Sequence, residues 1–233
     1  MKLAIMQPYF FPYIGYFQLM HAVDEFVVYD NIEFSRKGWI HRNRILVNNA
    51  AAYISLPVKK DSDYLPVCDR YLAETWPVEK KKLYNRIAEA YRKAPFFNPV
   101  ISVVEACLDV DERNLFRFIL HSLNQVRSYL GIVTPMRISS QVAIDHNLKA
   151  QDKVLALCKA CNASEYINPI GGVELYGRDR FAEEGIDLQF LKANPITYSQ
   201  FQGEFVPSLS IIDVMMFNPV ERIREYLVQF SLS

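Results

Sequence analysis

Glycine is scarce in this 233-residue chain, with eight residues, about half of what a usage of ~7% would give. Gly15, Gly38, Gly131, Gly171, Gly172, Gly177, Gly185 and Gly203 cannot be assembled into G-x-G-x-x-G. The nearest approach to a P-loop, Gly172 to Gly177, is followed by Arg178 and Asp179, where Lys and Ser or Thr are needed to reach phosphate and Mg²⁺. Both phosphate loops are excluded. Cysteine is also sparse: Cys68, Cys107, Cys158 and Cys161 are too few and too scattered for a disulfide framework. Cys158 and Cys161 fall on a helical stripe with Val154 and Leu157, which makes them core thiols, and no second pair completes a zinc site. The four histidines show no H-x-x-x-H spacing, and no G-x-S-x-G elbow exists. No metal site is expected. Charge of one sign is missing too, because 26 basic and 26 acidic residues cancel. No net field draws the chain to nucleic acid or to a membrane surface, so neither is an expected partner. No apolar run approaches the ~18 residues of a membrane span, and the first one stops at Gln7-Pro8. The expected location is the cytoplasm.

What the chain does have is apolar and aromatic material, 51% and 13% of residues with 15 Phe and 14 Tyr, enough for a large core. Lys2 to Met6 predicts a strand, Ile14 to Val23 a helix and Glu25 to Tyr29 a second strand, a βαβ opening. Residues 39–47 and 53–58 predict a hairpin around Asn48-Asn49, and 66–70 a short strand. Helices are expected over 78–93, 99–107 and 112–130, the last closed by Gly131. Alternation then returns: strand 136–138, helix 151–161, strand 165–168, helix 178–184 capped by Gly185, strand 186–191, and helices over 210–217 and 220–230. The expected fold is α/β, a Rossmann-like, mostly parallel sheet with a β-hairpin and a helical insertion. The expected organisation is one α/β domain over 1–233, with the insertion at 75–131 and a helical C-terminal segment at 205–233.

Three segments carry candidate chemistry. Gln7-Pro8-Tyr9-Phe10-Phe11-Pro12-Tyr13-Ile14-Gly15-Tyr16 joins the first strand to the first helix, the usual ligand edge of an α/β sheet, and aims a helix N-terminus at it. Arg36, Lys37, Trp39, His41, Arg42, Asn43 and Arg44 form a basic, aromatic stretch. In a strand, Arg42 and Arg44 share one face, with Trp39, His41 and Asn43 on the other, and that face reads either as a site for phosphate or carboxylate or as a solvated edge strand blunted by charge. Asp30, just upstream, could pair with an arginine or hold a sugar hydroxyl. Asn168-Pro169-Ile170-Gly171-Gly172 follows a late strand, where two glycines permit close approach or an ordinary tight turn. Gln200, Gln202, Glu204 and Asp213 are read equally as pocket groups and as caps.

Tyr13-Ile14-Gly15-Tyr16 resembles the His-x-Gly-His motif of nucleotidylyltransferases, with both histidines replaced by tyrosine. Ile138-Ser139-Ser140-Gln141 looks like the Ile-Ser-Ser-Thr motif of the same superfamily. In order along the chain, the Gln7 to Tyr16 opening, Tyr29-Asp30-Asn31, Trp39 with Arg42-Asn43-Arg44-Ile45, Trp76, Ala94-Pro95, Gly171-Gly172 and Gly203-Glu204-Phe205-Val206-Pro207 resemble the WbqC-like family of bacterial proteins, associated with O-antigen and other surface-polysaccharide genes. The resemblance implies a transferase acting on a nucleotide-linked sugar or amino-sugar precursor, moving an acyl, aminoacyl or nucleotidyl group. Its rival is a non-catalytic protein that binds or scaffolds such a ligand. No cofactor is expected beyond a nucleotide or nucleotide-activated substrate.

In the transferase reading Asp30, His41 and Tyr16 are the catalytic candidates. Gln7, Pro8, Tyr13 and Gly15 hold one ligand portion, and Arg42 and Arg44 bind phosphate beside Asn43. Tyr9, Phe10 and Trp39 stack on a base or sugar. Ser139 and Ser140 offer a second anion-binding helix start, and Asn168, Gly171 and Gly172 complete the rim.

Overall fold

The structure, a computed structural model, describes residues 1–62 and 64–233. β1 (Lys2–Met6) buries Leu3, Ala4 and Ile5 on both faces, the pattern of a central strand in a parallel sheet. It leads into α1 (Ile14–His21) and β2 (Glu25–Val28). Between β2 and the next sheet strand come the hairpin β3 (Arg42–Val47) and β4 (Ala50–Ser55), then α2 (Trp76–Tyr91), α3 (Phe97–Leu108) and α4 (Leu115–Leu130). β5 (Met136–Ile138), α5 (Ala150–Ala160), β6 (Glu165–Pro169), α6 (Arg178–Ala182) and β7 (Asp187–Ala193) resume the alternation. The chain closes with α7 (Ile211–Phe217), α8 (Val220–Leu227) and β8 (Phe230–Leu232).

The main sheet has the order β5-β2-β1-β6-β7-β8. The first five strands are parallel, with Leu3 opposite Glu25, Lys2 opposite Glu165 and Val28 opposite Ile138. β8 pairs antiparallel with β7. Numbered by appearance, the parallel strands run 3-2-1-4-5, the Rossmann-like order that leaves a crevice at the carboxyl ends of β1 and β6, where the winding reverses. Two apolar layers flank the sheet. Ala4, Phe26 and Val28 pack with α1, the insertion helices, α7 and α8. Leu3, Ile5 and Val27 pack with Val154, Leu157, Cys158 and Phe181 of α5 and α6. No described helix is long and apolar enough to cross a membrane.

Local chemistry explains most boundaries. Asn48 and Asn49 both have positive φ, 51° and 59°, the turn that matches strand twist in a two-residue hairpin. β4 therefore starts at Ala50, three residues before the expected one. Asn114 caps α4 by accepting from Arg117 N at 3.0 Å, and Gly131 ends it at φ 74°. Residues 66–70 are not a strand. Val67 and Cys68 donate to Ile32 O and Asp30 O, and Val67–Asp69 close into a 3₁₀ turn. The helix expected to reach residue 230 stops at Leu227, and Phe230–Leu232 adds to the sheet.

Candidate functional site

The loop after β1 is clamped from two directions. Asn43, 1% exposed, donates to Phe10 O and Phe11 O, and Ser210 Oγ donates to Phe11 O at 2.8 Å. Ile211 N donates to Pro12 O at 2.8 Å. These donors satisfy the carbonyls of a buried segment and hold Phe11 at φ 43°, a conformation costly for a side chain of that size. Tyr16, 1% exposed, donates its hydroxyl to Gln7 O at 3.1 Å. The loop is fixed before any ligand arrives.

Beyond it the hairpin presents a cluster of rings and guanidinia. Arg42 Cζ lies 5.5 Å from the Trp39 ring centroid and 5.3 Å from that of Tyr53, and Arg44 Cζ lies 5.5 Å from Trp39. Trp39 stacks on Tyr53 at 6.0 Å and borders Tyr9 at 6.3 Å. Neither arginine has a carboxylate partner among the described residues. Arg42 donates to Gly38 O and Lys37 O, and Arg44 to Ser208 O at 3.3 Å, leaving Arg44 Nε buried with no partner. Burial, reinforced by Tyr13, pushes the Tyr9 phenol above its ordinary pKa, with Arg44 and Arg42 opposing. The tyrosine is a neutral donor beside two fixed cations.

A second constellation lies at the ends of β2 and β5. Asp30, 2% exposed, accepts from Ser139 Oγ at 2.7 Å, Ser140 N at 2.9 Å and Ser140 Oγ at 2.6 Å. Ser139 Oγ also lies 2.9 Å from the Asn31 side-chain amide, which reaches His146 Nδ1 at 2.9 Å. Lys153, 6% exposed, lies over the Tyr29 ring and donates to Asn31 O. A pocket of about 430 Å³ opens against Tyr29, Asn31, His146 and Lys153. The larger concavity, about 720 Å³, sits at the hairpin tip among exposed Asn48, Asn49, Glu89 and Lys93. No buried polar side chain lines it, whereas Asn31, His146 and Lys153 surround the sheet-edge pocket.

The sequence model of the WbqC-like protein family matches residues 7–225. The chain belongs to the WbqC-like protein family. It is 27% identical over 230 residues to the Mycobacterium tuberculosis protein Rv1507c, itself described as uncharacterized, a match covering 97% of each chain. No solved structure matches.

In this WbqC-like chain the residues expected at the site divide into three groups. Tyr9, Tyr13, Trp39, Arg42 and Arg44 come together. Trp39 lies outside the strand, which begins at Arg42, and packs against both arginines instead of the opposite face. Asp30, Ser139 and Ser140 also meet, but as acceptor and donors. The serines start a three-residue 3₁₀ turn and no helix, so the expected anion-binding helix start is replaced by a carboxylate clamp. Among the described residues Asp30 forms no arginine pair.

The third group is structural. Tyr16 and Asn43 face the interior, Gln7 supplies a carbonyl, and buried Pro8 carries the chain into the clamped loop. A Cβ on Gly15 would meet Tyr13 Cε2 at 2.3 Å, and one on Gly172 would meet Asn168 Nδ2 at 2.0 Å. Both glycines make room for neighbouring side chains, while a Cβ added at Gly171 would point into open space. Asp213, 0% exposed, accepts from Tyr91, Tyr198 and Gln200, a tie between helices and C-terminal segment. Phe10, 0% exposed, is core.

Tyr29, His146 and Lys153 were missed as site residues. The lysine flanks the apolar stripe of α5, and its spacing from Lys149 at the helix start was the available signal.

Proposed function

We propose that this protein is a transferase acting on a nucleotide-linked sugar or amino-sugar precursor, used in bacterial surface-polysaccharide assembly. The observation that carries the reading is the pair of guanidinia on the Trp39 ring, fixed by carbonyls and free of carboxylates. A diphosphate supplies the missing anions, since arginine forks bind phosphate oxygens in pairs. The exposed Tyr53 and half-buried Trp39 give a base or sugar flat surfaces on which to stack.

The clamped loop supports the same reading. A segment whose carbonyls are held by Asn43 and Ser210 needs no ordering when the nucleotide sugar binds, which conserves affinity. His41, whose ring burial holds its pKa down at about 4, with Arg42 and Arg36 adding to the effect, is neutral near pH 7. The ring packs on Phe34 at 5.2 Å with Nδ1 buried, and we assign the general-base role to its other nitrogen, Nε2. Asp30 is occupied by three donors and serves as an anchor. The four cysteines are free thiols, and in this reading the reaction takes place in the cytoplasm.

The test is a mass-spectrometric screen of purified protein with nucleotide sugars, ATP, amino acids and acyl donors. The proposal expects a product whose mass identifies the acyl, aminoacyl or nucleotidyl group, and loss of that product in Arg42→Ala. Tight binding of a nucleotide sugar with no turnover in any mixture would contradict it and favour a carrier protein.

A further inference from the structure

The pocket of about 430 Å³ at the end of β2 lies outside the arginine cluster, and its chemistry differs. Lys153 is 6% exposed. Its ammonium has three protons to donate, yet among the described residues it finds one acceptor, Asn31 O at 3.3 Å, and no carboxylate within ion-pair distance. Below it lies the Tyr29 ring, with the centroid 5.4 Å from Nζ. The stem is packed away while the ammonium faces the pocket, where its remaining donors are free for water or for an anion.

Three neighbours bear on which of the two it is. Lys149, four residues earlier on the same side of α5, brings a second amine to the pocket. α5 starts there, because a helix following a parallel strand begins at the sheet's carboxyl edge. Lys149 at its N-cap gives no side-chain acceptor to the first N–H groups. The acids nearby are engaged elsewhere or exposed. Asp30 accepts from Ser139 and Ser140, Asp152 lies 3.9 Å from Arg180, and Glu33 stands exposed on the rim. Burial and Lys149 pull Lys153 below its ordinary pKa, with Asp30 and Cys68 opposing, which is the state an arriving anion would relieve.

We propose that this pocket binds a small acid, setting its carboxylate or phosphate monoester against Lys153 Nζ and the open first turn of α5. The volume suits a metabolite-sized molecule. The proposal stands on the pocket's own residues and does not need the nucleotide-sugar reading.

The test follows the His146 ring resonance of the full chain by NMR. Inorganic phosphate and acetate are titrated separately, at constant ionic strength maintained with chloride. The expected result is a saturable shift with at least one of them, at least tenfold weaker binding in Lys153→Met, and no change in Arg42→Ala. The anion that saturates tells phosphate from carboxylate. A linear response to both anions in the wild type would overturn the proposal, and so would unchanged affinity in Lys153→Met. If Lys153→Met does not fold, the wild-type titration and the exposed Lys149→Met, expected to bind more weakly, decide instead. Failure of nucleotide sugars to bind leaves these outcomes unaltered.

Discussion

Ser139 Oγ lies 2.7 Å from Asp30 Oδ1, joining residues 109 apart in sequence. The hydroxyl has one proton and two lone pairs, and Asp30 N already donates to it at 3.1 Å. With Asn31 Oδ1 facing Ser139 and Nδ2 facing His146, one proton is shared between Asp30 and Asn31. Turning the amide by half a revolution satisfies every group. Asn31 then donates to Ser139, Ser139 to Asp30, and His146 Nδ1–H to Asn31. The nitrogen shifts of His146 are therefore expected to report the Nδ1–H tautomer at neutral pH, and Ser139→Ala to give a mixture of tautomers. An Nε2–H tautomer in the wild type would refute this chain of donors.

Arg42 and Arg44 make separable contributions. A charged hydrogen bond is worth roughly 1.5–3 kcal/mol, so either arginine replaced by alanine is expected to weaken nucleoside diphosphate binding by about 10- to 100-fold. Binding to the wild type should also weaken with added salt. Calorimetry at two salt concentrations checks both. Equal affinity in the wild type and both variants would move the nucleotide site elsewhere.

Tyr91 holds the interior together through one hydroxyl, which accepts from Leu46 N at 2.9 Å and donates to Asp213 Oδ1 at 2.8 Å. Tyr91→Phe leaves a buried donor and a buried carboxylate oxygen short of a partner, at a cost of about 2 kcal/mol. Urea unfolding should show a lower midpoint with an unchanged slope.

His41 gives the fold a pH dependence. Its Nδ1 is buried with no partner among the described residues, and its pKa falls from 6.5 to about 4. Because the unfolded chain takes up the proton first, the stabilisation is complete above pH 6.5 and is lost as pH falls from there through about 4. The Tm difference between wild type and His41→Gln should shrink in the wild type's disfavour between pH 8 and pH 4.5. A constant difference would show that the ring titrates normally.

Much of the fold was legible because local rules agree with the tertiary result. β1 matches its expected bounds residue for residue, Asn48-Asn49 makes the expected turn, and Gly131 ends α4 at φ 74°, whereas α6 stops at Ala182 with Glu183 as its cap, short of Gly185 at φ 71°. β8 was not legible, because three residues pair only once β7 is beside them. The arginine cluster was half legible. Alternation put Arg42 and Arg44 together, but Trp39 joins them from outside the strand. Tyr16 and Gly15 resembled motif residues, yet burial and the Tyr13 ring account for them. Lys153 was hidden because a helical stripe reveals which residues are apolar and gives no sign of a long polar side chain folded over Tyr29.

The most direct measurement is a crystal structure of the full chain soaked with a nucleoside diphosphate sugar. The account predicts density for the diphosphate between the Arg42 and Arg44 guanidinia, with the base or sugar on Trp39 or Tyr53. A well-ordered ligand at any other site, with both arginines unchanged and free, would contradict it.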